Sequence, residues 1–374
     1  MSSTAIDGTA SRAQRLQGEL TELELDALLV ETLIDVRYLT GFTGSHGLAL
    51  VVGEQAQPEL GPHRFLTDFR YTTQSAEQVS QEFEREIVTE DLLKAIAGTL
   101  TPHSGRLGFD EASLTVKEHR RLGELLGERW ELVPCTGLVQ RLRAIKDAGE
   151  IACIAAACRL ADEALRGVLE AGLVGRTERE VALDLELRMR NLGAQAPSFS
   201  SIVAAGSHGA LPHAEPRDEQ IPRDVLVTID WGALHEGYCS DCTRTYATGE
   251  RLPAQAREIY ELVLNAEQQG LAAVKAGPNG RDVDAVAREV IEQAGHGEHF
   301  GHGLGHGVGL EIHEAPRLSR MAGDEPLRTG NIVTVEPGVY LPGVLGVRIE
   351  DLVVVREGTH EVLTSLPKDL TVVT

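Results

Sequence analysis

The sequence of 374 residues predicts two domains, an α/β domain at residues 1–140 followed by an α+β domain at residues 141–374. Up to Pro134, short apolar runs alternate with helical stretches, which is the βαβ rhythm of an α/β layer structure. After Val133 the pattern changes to long helices followed by pairs of strands. This change places the domain boundary between residues 135 and 145, and each part is long enough to bury its own core.

The N-terminal elements are short. Predicted strands cover residues 27–30, 48–52, 64–67, 87–88 and 107–109, and predicted helices with polar faces cover 90–100 and 115–128. No glycine-rich phosphate loop follows any of these strands in the sequence. A nucleotide site is therefore not indicated.

The C-terminal elements repeat one order, helices and then a strand pair. Predicted helices cover 138–172, 176–193, 253–277 and 281–295, and predicted strands cover 225–230, 242–248, 332–341 and 347–355. The second helix begins at Thr177 with Glu180 three residues later, the spacing of a capping box, and ends at Gly193. The repeated order hints at an internal duplication that the letters no longer show.

The charge balance excludes two classes of partner. Against 35 Lys and Arg stand 57 Asp and Glu, which gives a formal net charge of -22. A chain with this negative charge would be repelled by a nucleic acid or by an anionic membrane. The N-terminus lacks an apolar signal region, and no run of about 18 apolar residues occurs. A cytoplasmic location is therefore expected.

The cysteines are predicted to be reduced thiols, because their number is odd, five, in a long chain without a signal region. Cys239 and Cys242 have the CxxC spacing of a zinc knuckle or redox pair. No second CxxC completes a four-thiolate site, so a metal or redox role is disfavoured.

The stretch 299-HFGHGLGHGVGLEIHEAP-316 concentrates histidine beside glycine. Read at a period of two, one face carries only glycines from Gly301 to Gly309, and the other carries His302 and His306. A helix here would lose roughly 1 kcal/mol per glycine relative to alanine. We therefore expect an extended segment whose bare face is closely approached by other backbone or by a bound peptide, with a flexible loop as the alternative.

Two hairpins each deliver a pair of carboxylates in otherwise apolar strands. Asp230 and Asp241 flank one turn, and Glu336 and Glu350 flank the other. Acidic residues are disfavoured in strands, and a buried carboxylate needs a counter-charge. Each one alone could pair with an arginine such as Arg244 or Arg348, but four together suggest two divalent cations. Oxygen ligands with one imidazole suit Mn, Co, Zn or Fe(II).

Two further histidines are candidates for the same chemistry. His213 follows a segment of small residues that could line a cleft, and His313 stands next to Glu314. A neutral histidine in a cleft can donate to a substrate carbonyl or transfer a proton. Taken singly, each is as readily an ordinary, partly buried histidine.

These motifs resemble the pita-bread metallopeptidases, and among them the Xaa-Pro peptidases, prolidase and aminopeptidase P. The resemblance rests on VTIDWGA, SDCTRTYATG, GHGLGHGVGLEIHEAP, VTVEPGVY and GVRIEDLVVV, in that order. The segments RYLTGFTGS, FLTDFRY and RAIKDAGEI also look like the creatinase-type N-terminal domain of that family and the entry into its catalytic domain. The resemblance implies a pita-bread (creatinase/aminopeptidase) fold for residues 141–374.

The resemblance also implies a role for each site residue. The implied metal ligands are Asp230, Asp241, His306, Glu336 and Glu350, with Asp241 and Glu350 bridging two ions of Mn, Co or Zn. The implied substrate-binding residues are His213, His302, His313 and Arg348, of which His213 and His313 also stabilise the reacting carbonyl. Glu336 is our choice for the carboxylate that takes the proton of the attacking water.

The function that follows is hydrolysis of the bond between an N-terminal residue and proline. The sequence favours a dipeptidase (prolidase) slightly over aminopeptidase P acting on longer peptides, and a catalytically silent metal-binding module is a more distant alternative. Asp35 and His46 fall where the family forms loops that close the site, in a homodimer expected through the family alone. The sequence does not define their roles.

Overall fold

The computed structural model describes residues 11–374, and the chain divides into two compact units between Arg143 and Ala144. The predicted boundary after residue 140 lies inside the helix that ends the first unit. No helix within residues 11–374 is both long and apolar enough to traverse a bilayer.

The first unit is one mixed sheet with helices. Its strands are β1 Ala27–Val30, β2 Leu48–Val52, β3 His63–Asp68, β4 Phe83–Val88, β5 Gly105–Asp110 and β6 Trp130–Cys135. Its helices are α1 Arg12–Glu22, α2 Leu33–Thr40, α3 Thr72–Gln78, α4 Leu92–Leu100, α5 Val116–Leu126 and α6 Leu138–Arg143. The sheet order is β4-β3-β2-β1-β5-β6, in which β1 pairs antiparallel with β2 and parallel with β5.

The core of this unit lies between the helices and the sheet, as the alternation of apolar runs and helical stretches predicts. Ile96 on α4 and Leu122 on α5 are fully buried against apolar side chains of the sheet such as Leu50 and Leu107. At the start of α5, Thr115 and Glu118 form a reciprocal capping box that satisfies two backbone N–H groups. The sequence pattern did not predict α1, α2, α3 or β6, which lack a long apolar period.

The second unit holds the remaining elements. Its helices are α7 Ala148–Glu170, α8 Glu178–Asn191, α9 Ala254–Ala273 and α10 Gly280–Gln293. Its strands are β7 Ala196–Pro197, β8 Ile202–Ala205, β9 Leu226–Trp231, β10 Ala233–His235, β11 Tyr238–Cys239, β12 Cys242–Ala247, β13 Gly305–Gly307, β14 Glu314–Leu318, β15 Ile332–Val335, β16 Gly338–Leu341, β17 Leu345–Arg348, β18 Asp351–Arg356 and β19 Thr359–Val362.

Two helix pairs cover two sheets of this unit. Helices α7 and α8 pack on the sheet β12-β9-β8, where the Trp231 indole N–H donates to the Ala161 carbonyl at 2.9 Å. Helices α9 and α10 pack on the sheet β14-β13-β15-β18-β19. The arrangement parallels the repeated order of helices and strands in the sequence.

The single helix predicted for 138–172 is wrong, because the structure breaks it into α6 and α7. Asp147 is the reason. Its side chain accepts from the Glu150 N–H at 2.9 Å, and the Glu150 carboxylate accepts from the Asp147 N–H at 3.0 Å. This capping box starts a new helix within a stretch that otherwise keeps helical periodicity.

Candidate active site

The acidic side chains stand at strand ends and strand breaks of the second unit. Asp230 lies in β9, and Asp241 directly precedes β12. Strands β9 and β12 are antiparallel partners. Glu336 and Glu350 lie between β15 and β16 and between β17 and β18. The pairs on either side are Val335 with Asp351 in one sheet and Gly338 with Arg348 in another, so both glutamates mark the crossing from sheet to sheet.

Continuous strands over 332–341 and 347–355 were therefore a wrong prediction. Pro337 has no N–H to give to a ladder, which ends β15. The Glu350 N–H leaves its own hairpin and donates to the Thr243 carbonyl at 3.1 Å. Each break turns an acidic side chain into the same space.

The structure brings the predicted ligand side chains together. One oxygen each of Asp230, Asp241 and Glu350 lies within 4.8 Å of the others. The His306 Nε2 is 3.5 Å from Asp241 Oδ2 and 3.4 Å from Glu336 Oε1. Five side chains from different elements therefore face one point.

Burial and mutual repulsion make this cluster electrostatically costly. Burial raises the pKa of Asp241 well above its ordinary value, and the charges of Glu350, Asp230 and Glu336 raise it further. Burial likewise raises the pKa of Glu350, and that of Glu336 to about 7. Burial also raises the pKa of Asp230, although the Arg348 charge opposes the shift.

The donor set fits divalent cations. Within residues 11–374, the buried oxygens Asp230 Oδ1 and Glu350 Oε1 have no hydrogen-bond partner. An unpaired buried carboxylate oxygen is costly unless an ion or a donor satisfies it. Four carboxylates with one imidazole nitrogen match the preference of Mn, Co or Zn for mixed oxygen and nitrogen ligands.

His306 is held in the tautomer that a metal ligand needs. Its Nδ1 lies 3.1 Å from the Gly307 carbonyl, so the proton on Nδ1 donates there and Nε2 keeps its lone pair toward the carboxylates. Burial lowers the pKa of His306 to about 4, which keeps the ring neutral near pH 7.

Arg348 is the buried cation beside the carboxylates. Its Nη2 donates to Asp230 Oδ2 at 2.7 Å, its Nη1 to the Tyr340 hydroxyl at 2.8 Å and its Nε to Thr243 Oγ1 at 3.0 Å. The Thr243 hydroxyl in turn donates to Glu350 Oε2 at 2.7 Å. The sequence pattern did not predict Thr243 or Tyr340, because a neutral side chain in an apolar strand gives no chemical signal.

A cleft of about 490 Å³ opens onto these residues. His213 and His313 line it and are exposed, and the His313 ring centroid is 4.3 Å from that of His306. His302 also lines the cleft, but both of its ring nitrogens have protein partners. Its Nδ1 is 2.8 Å from the Gly303 carbonyl, and its Nε2 is 2.9 Å from the Tyr340 hydroxyl.

The glycine face meets protein backbone. A Cβ on Gly305 would stand 2.0 Å from the Thr334 carbonyl oxygen, and one on Gly307 would stand 2.3 Å from that of Ala315. Gly301 has open space instead. Regular strand is limited to Gly305–Gly307, so the extended segment is shorter than the glycine pattern predicts.

Asp35 and His46, whose roles the sequence does not define, each have an acidic or basic partner in the first unit. Asp35 lies in α2, not in a loop, and accepts from Arg143 Nη1 at 2.7 Å within the first unit. His46 pairs with Asp68 at 2.7 Å. Burial raises the pKa of the Cys239 thiol to about 12 and that of Cys242 well above its ordinary value, which does not suit redox or metal chemistry.

Comparisons with known proteins agree with this site. Residues 152–357 match metallopeptidase family M24, and residues 12–145 match the creatinase/prolidase N-terminal domain. An uncharacterised peptidase of Bacillus subtilis is 40% identical over 96% of this chain and 99% of its own. Among solved structures, an Xaa-Pro dipeptidase from Bacillus anthracis has a TM-score of 0.90 at 38% identity, covering 96% of this chain and 99% of that one. An X-Pro aminopeptidase from Thermotoga maritima has a TM-score of 0.86 at 35% identity, covering 97% and 100%.

Proposed function

The chain belongs to metallopeptidase family M24, with a creatinase-type α/β domain before a pita-bread catalytic domain, and we propose that it is an Xaa-Pro dipeptidase. The alternative is an Xaa-Pro aminopeptidase that acts on longer peptides, since structures bearing either name resemble this chain closely. The observation that carries the choice is the place of Arg317.

Arg317 is an exposed cation beside the metal ligands. It lies directly opposite His306 across the pairing of β13 with β14, so the two side chains share one face of the sheet. Its charge is near enough to lower the pKa of His306, after the larger effect of burial. Within residues 11–374 no carboxylate pairs with it. A guanidinium there can bind the free carboxylate of a dipeptide by a forked hydrogen bond.

The proposed metal centre uses all five ligand side chains. Two divalent cations, Mn, Co or Zn, would be held by Asp230, Asp241, His306, Glu336 and Glu350. Bound there, the cations would polarise the scissile carbonyl and lower the pKa of a water molecule.

The chain's own groups complete the reaction. Glu336 receives the proton of the attacking water, and His213 and His313 donate to the oxygen of the first residue's carbonyl, where negative charge develops. Arg348 holds Asp230 in place. The tertiary amide before proline has no N–H. A cleft with an apolar lining can therefore select the proline ring, because it needs no hydrogen-bond acceptor for an N–H group at that bond. The apolar lining residues include Phe199, Ile202, Pro212 and Ile312.

The substrate test uses purified protein loaded with Mn²⁺, Co²⁺ or Zn²⁺, given Ala-Pro and Ala-Pro-Ala. A dipeptidase hydrolyses Ala-Pro and cleaves the tripeptide poorly, whereas efficient tripeptide cleavage identifies an aminopeptidase. Hydrolysis of neither peptide with any metal refutes the peptidase proposal.

Replacement of Arg317 by Met tests the carboxylate contact. We expect the KM for Ala-Pro to rise on the order of tenfold to a hundredfold, the size of a lost charge-assisted contact, with kcat little changed. The KM for Ala-Pro amide, which has no carboxylate, should stay within about twofold by the same reasoning. Arg320→Met, at an exposed arginine paired with Glu292, is the matched control. An equal loss on both substrates contradicts the role of Arg317.

The homodimer, the cytoplasmic location and the identity of the metals remain predictions. The homodimer depends on the family resemblance, the location on the polar N-terminal sequence, and the metals on the chemistry of the ligands. Gel filtration with light scattering measures the first, and metal analysis of the purified protein measures the last.

A further inference from the structure

Helix α10 carries a buried ion pair that the reaction does not use directly. Arg288 Nε donates to Asp284 Oδ2 at 2.7 Å, and Arg288 Nη2 donates to Asp284 Oδ1 at 2.8 Å. Asp284 is fully buried, and Arg288 is 5% exposed. A buried ion pair of this kind adds little net stability over apolar residues of similar volume, so stability alone does not account for it.

The ion pair forms hydrogen bonds with the backbone of residues 300–304, which lead into strand β13. Arg288 Nη1 donates to the Phe300 carbonyl at 2.9 Å, and Nη2 donates to the His302 carbonyl at 2.7 Å. Asp284 Oδ1 accepts from the Leu304 N–H at 2.9 Å. The guanidinium also lies 4.1 Å over the Phe300 ring. Three backbone groups of residues 300–304 are therefore bound to one ion pair.

This segment has little stiffness of its own. It contains Gly301 and Gly303, and its residues form no regular strand. A Cβ on Gly301 would meet open space, so packing does not fix the backbone there. Phe300 and Leu304 are buried at the two ends of the segment, and a Cβ on Gly303 would stand 2.8 Å from the Leu318 carbonyl oxygen. The ion pair adds direct hydrogen bonds to the backbone between these packed positions.

From this segment a line of hydrogen bonds reaches the metal ligands. His302 donates from Nδ1 to the Gly303 carbonyl at 2.8 Å, so its Nε2 accepts from the Tyr340 hydroxyl at 2.9 Å. The Tyr340 oxygen accepts from Arg348 Nη1 at 2.8 Å, and Arg348 Nη2 donates to Asp230 Oδ2 at 2.7 Å. Every donor and acceptor in this line has one consistent assignment.

We propose that Asp284 and Arg288 are positioning residues that hold residues 300–304, so that His302 fixes the Tyr340 hydroxyl and through it Arg348 and Asp230. The proposal rests on the proposed function for its kinetic effect. In it His302 supports the site and does not bind substrate directly, which revises the role that the sequence implied. A shift of this segment by a fraction of an ångström would pass along the line to a metal ligand.

The kinetic test compares Arg288→Lys and Arg288→Met with a matched control on the same helix, Arg281→Met. Arg281 donates to the Ala322 carbonyl and to exposed Asp324, not to the backbone of residues 300–304. With Mn²⁺ and Ala-Pro, we expect Arg288→Met to lower kcat on the order of tenfold to a hundredfold, with KM within about threefold. Arg288→Lys, which keeps the charge but loses the fork, should fall between, and Arg281→Met should match wild type.

A double-mutant cycle separates positioning from general destabilisation. If Arg288 acts through His302, then Arg288→Met should cost less than about twofold in kcat when added to His302→Ala, because coupled residues are not additive. The same factor in both backgrounds overturns the proposal. Thermal melts confirm folding of each variant, and where Arg288→Met does not fold, Arg288→Lys is used in the cycle.

A spectroscopic readout is independent of turnover. In metal-free protein with ¹⁵N-labelled histidine, wild-type His302 should show one neutral tautomer with its proton on Nδ1. Folded Arg288→Lys should show a mixture of tautomers, and Arg281→Met should not. An unchanged single tautomer in Arg288→Lys overturns the proposal. Because this measurement needs no substrate, it can fail or succeed separately from the proposed dipeptidase activity.

Discussion

The Thr243 hydroxyl connects the two kinds of charge in the site. It accepts from Arg348 Nε at 3.0 Å and donates to Glu350 Oε2 at 2.7 Å. A hydroxyl has one proton, so its direction of donation is determined by the arginine, which can only donate. Glu350 is thereby left with Oε1 as its oxygen without a partner within residues 11–374, which is the atom free to bind a cation.

Replacing Asp241 by Asn or Glu350 by Gln tests two of the proposed metal ligands. We expect kcat/KM to fall on the order of a thousandfold or more, as several kcal/mol of charge stabilisation are lost, and the bound metal per chain to fall with it. Activity assays and metal analysis measure both. Asp324→Asn, at an exposed acid, is the control. Near-normal activity in either variant contradicts the assignment.

The same variants should behave in the opposite way without metal. Because burial and the charges of Glu350, Asp230 and Glu336 make a charged Asp241 costly, a neutral Asn at this position relieves the metal-free protein. The metal-free Asp241→Asn protein should therefore melt above metal-free wild type, and Mn²⁺ should stabilise wild type more. Calorimetry with and without EDTA measures the four melting temperatures.

At this scale the sequence indicated the four carboxylates that the structure brings together, because acids in apolar strands are conspicuous, and the family resemblance added His306. It did not predict Thr243, Tyr340, Asp284 or Arg288. Asp284 and Arg288 look like ordinary helix charges four residues apart, and only the fold shows that their partners lie at residues 300–304. A hydroxyl such as Thr243 is equally compatible with a simple strand.

At the scale of elements, strand β13 depends on the absence of side chains. The His306 N–H donates to Thr334 Oγ1 at 3.0 Å, which requires the backbone of β13 to lie close to β15. Gly305 and Gly307 allow that approach, because any Cβ there would overlap a neighbouring carbonyl. The glycines therefore determine where the His306 imidazole, a proposed metal ligand, lies.

Gly305→Ala tests this dependence against Gly301→Ala. A Cβ added at position 305 would meet the Thr334 carbonyl at 2.0 Å, whereas one added at position 301 would have no heavy atom within 4 Å. We expect Gly305→Ala to lose about 1–3 kcal/mol of unfolding free energy, the usual cost of overpacking, and to bind Mn²⁺ more weakly. Gly301→Ala should leave both unchanged. Chemical denaturation and calorimetric titration give the two quantities, and equal behaviour of the variants contradicts the role of the glycine face.

The breaks in the strands show why element boundaries were predicted less well. Residues 332–341 and 347–355 keep an apolar pattern through Glu336 and Glu350, so periodicity alone predicts unbroken strands. The strand ends before Glu350 because the Glu350 N–H donates to the Thr243 carbonyl, a tertiary partner, and not to its own hairpin.

For the whole molecule, the fold class was predictable because periodicity changes along the chain. The order of the first sheet, β4-β3-β2-β1-β5-β6, was not, because strand order depends on which edges meet after folding. The composition shows the excess of acidic residues directly, but the effect of that excess on stability depends on where each carboxylate lies.

Glu31 illustrates this and predicts how the stability of the molecule changes with pH. It follows β1, and burial raises its pKa to about 7, with repulsion from Glu118 and Asp110 adding to the shift. Between pH 4.5 and about 7 the folded chain binds the proton that the unfolded chain has released, so this residue destabilises the fold as pH rises.

Glu31→Gln should therefore match wild type in unfolding free energy near pH 4.5 and exceed it at pH 8. The gain should be about 1 kcal/mol, less than the full shift implies, because the half-buried side chain stays near water. Urea denaturation at the two pH values measures it, with Glu54→Gln at an exposed position as the control. A difference that does not change with pH, or a variant less stable than wild type at pH 8, contradicts the placement of Glu31 as a buried and repelled acid.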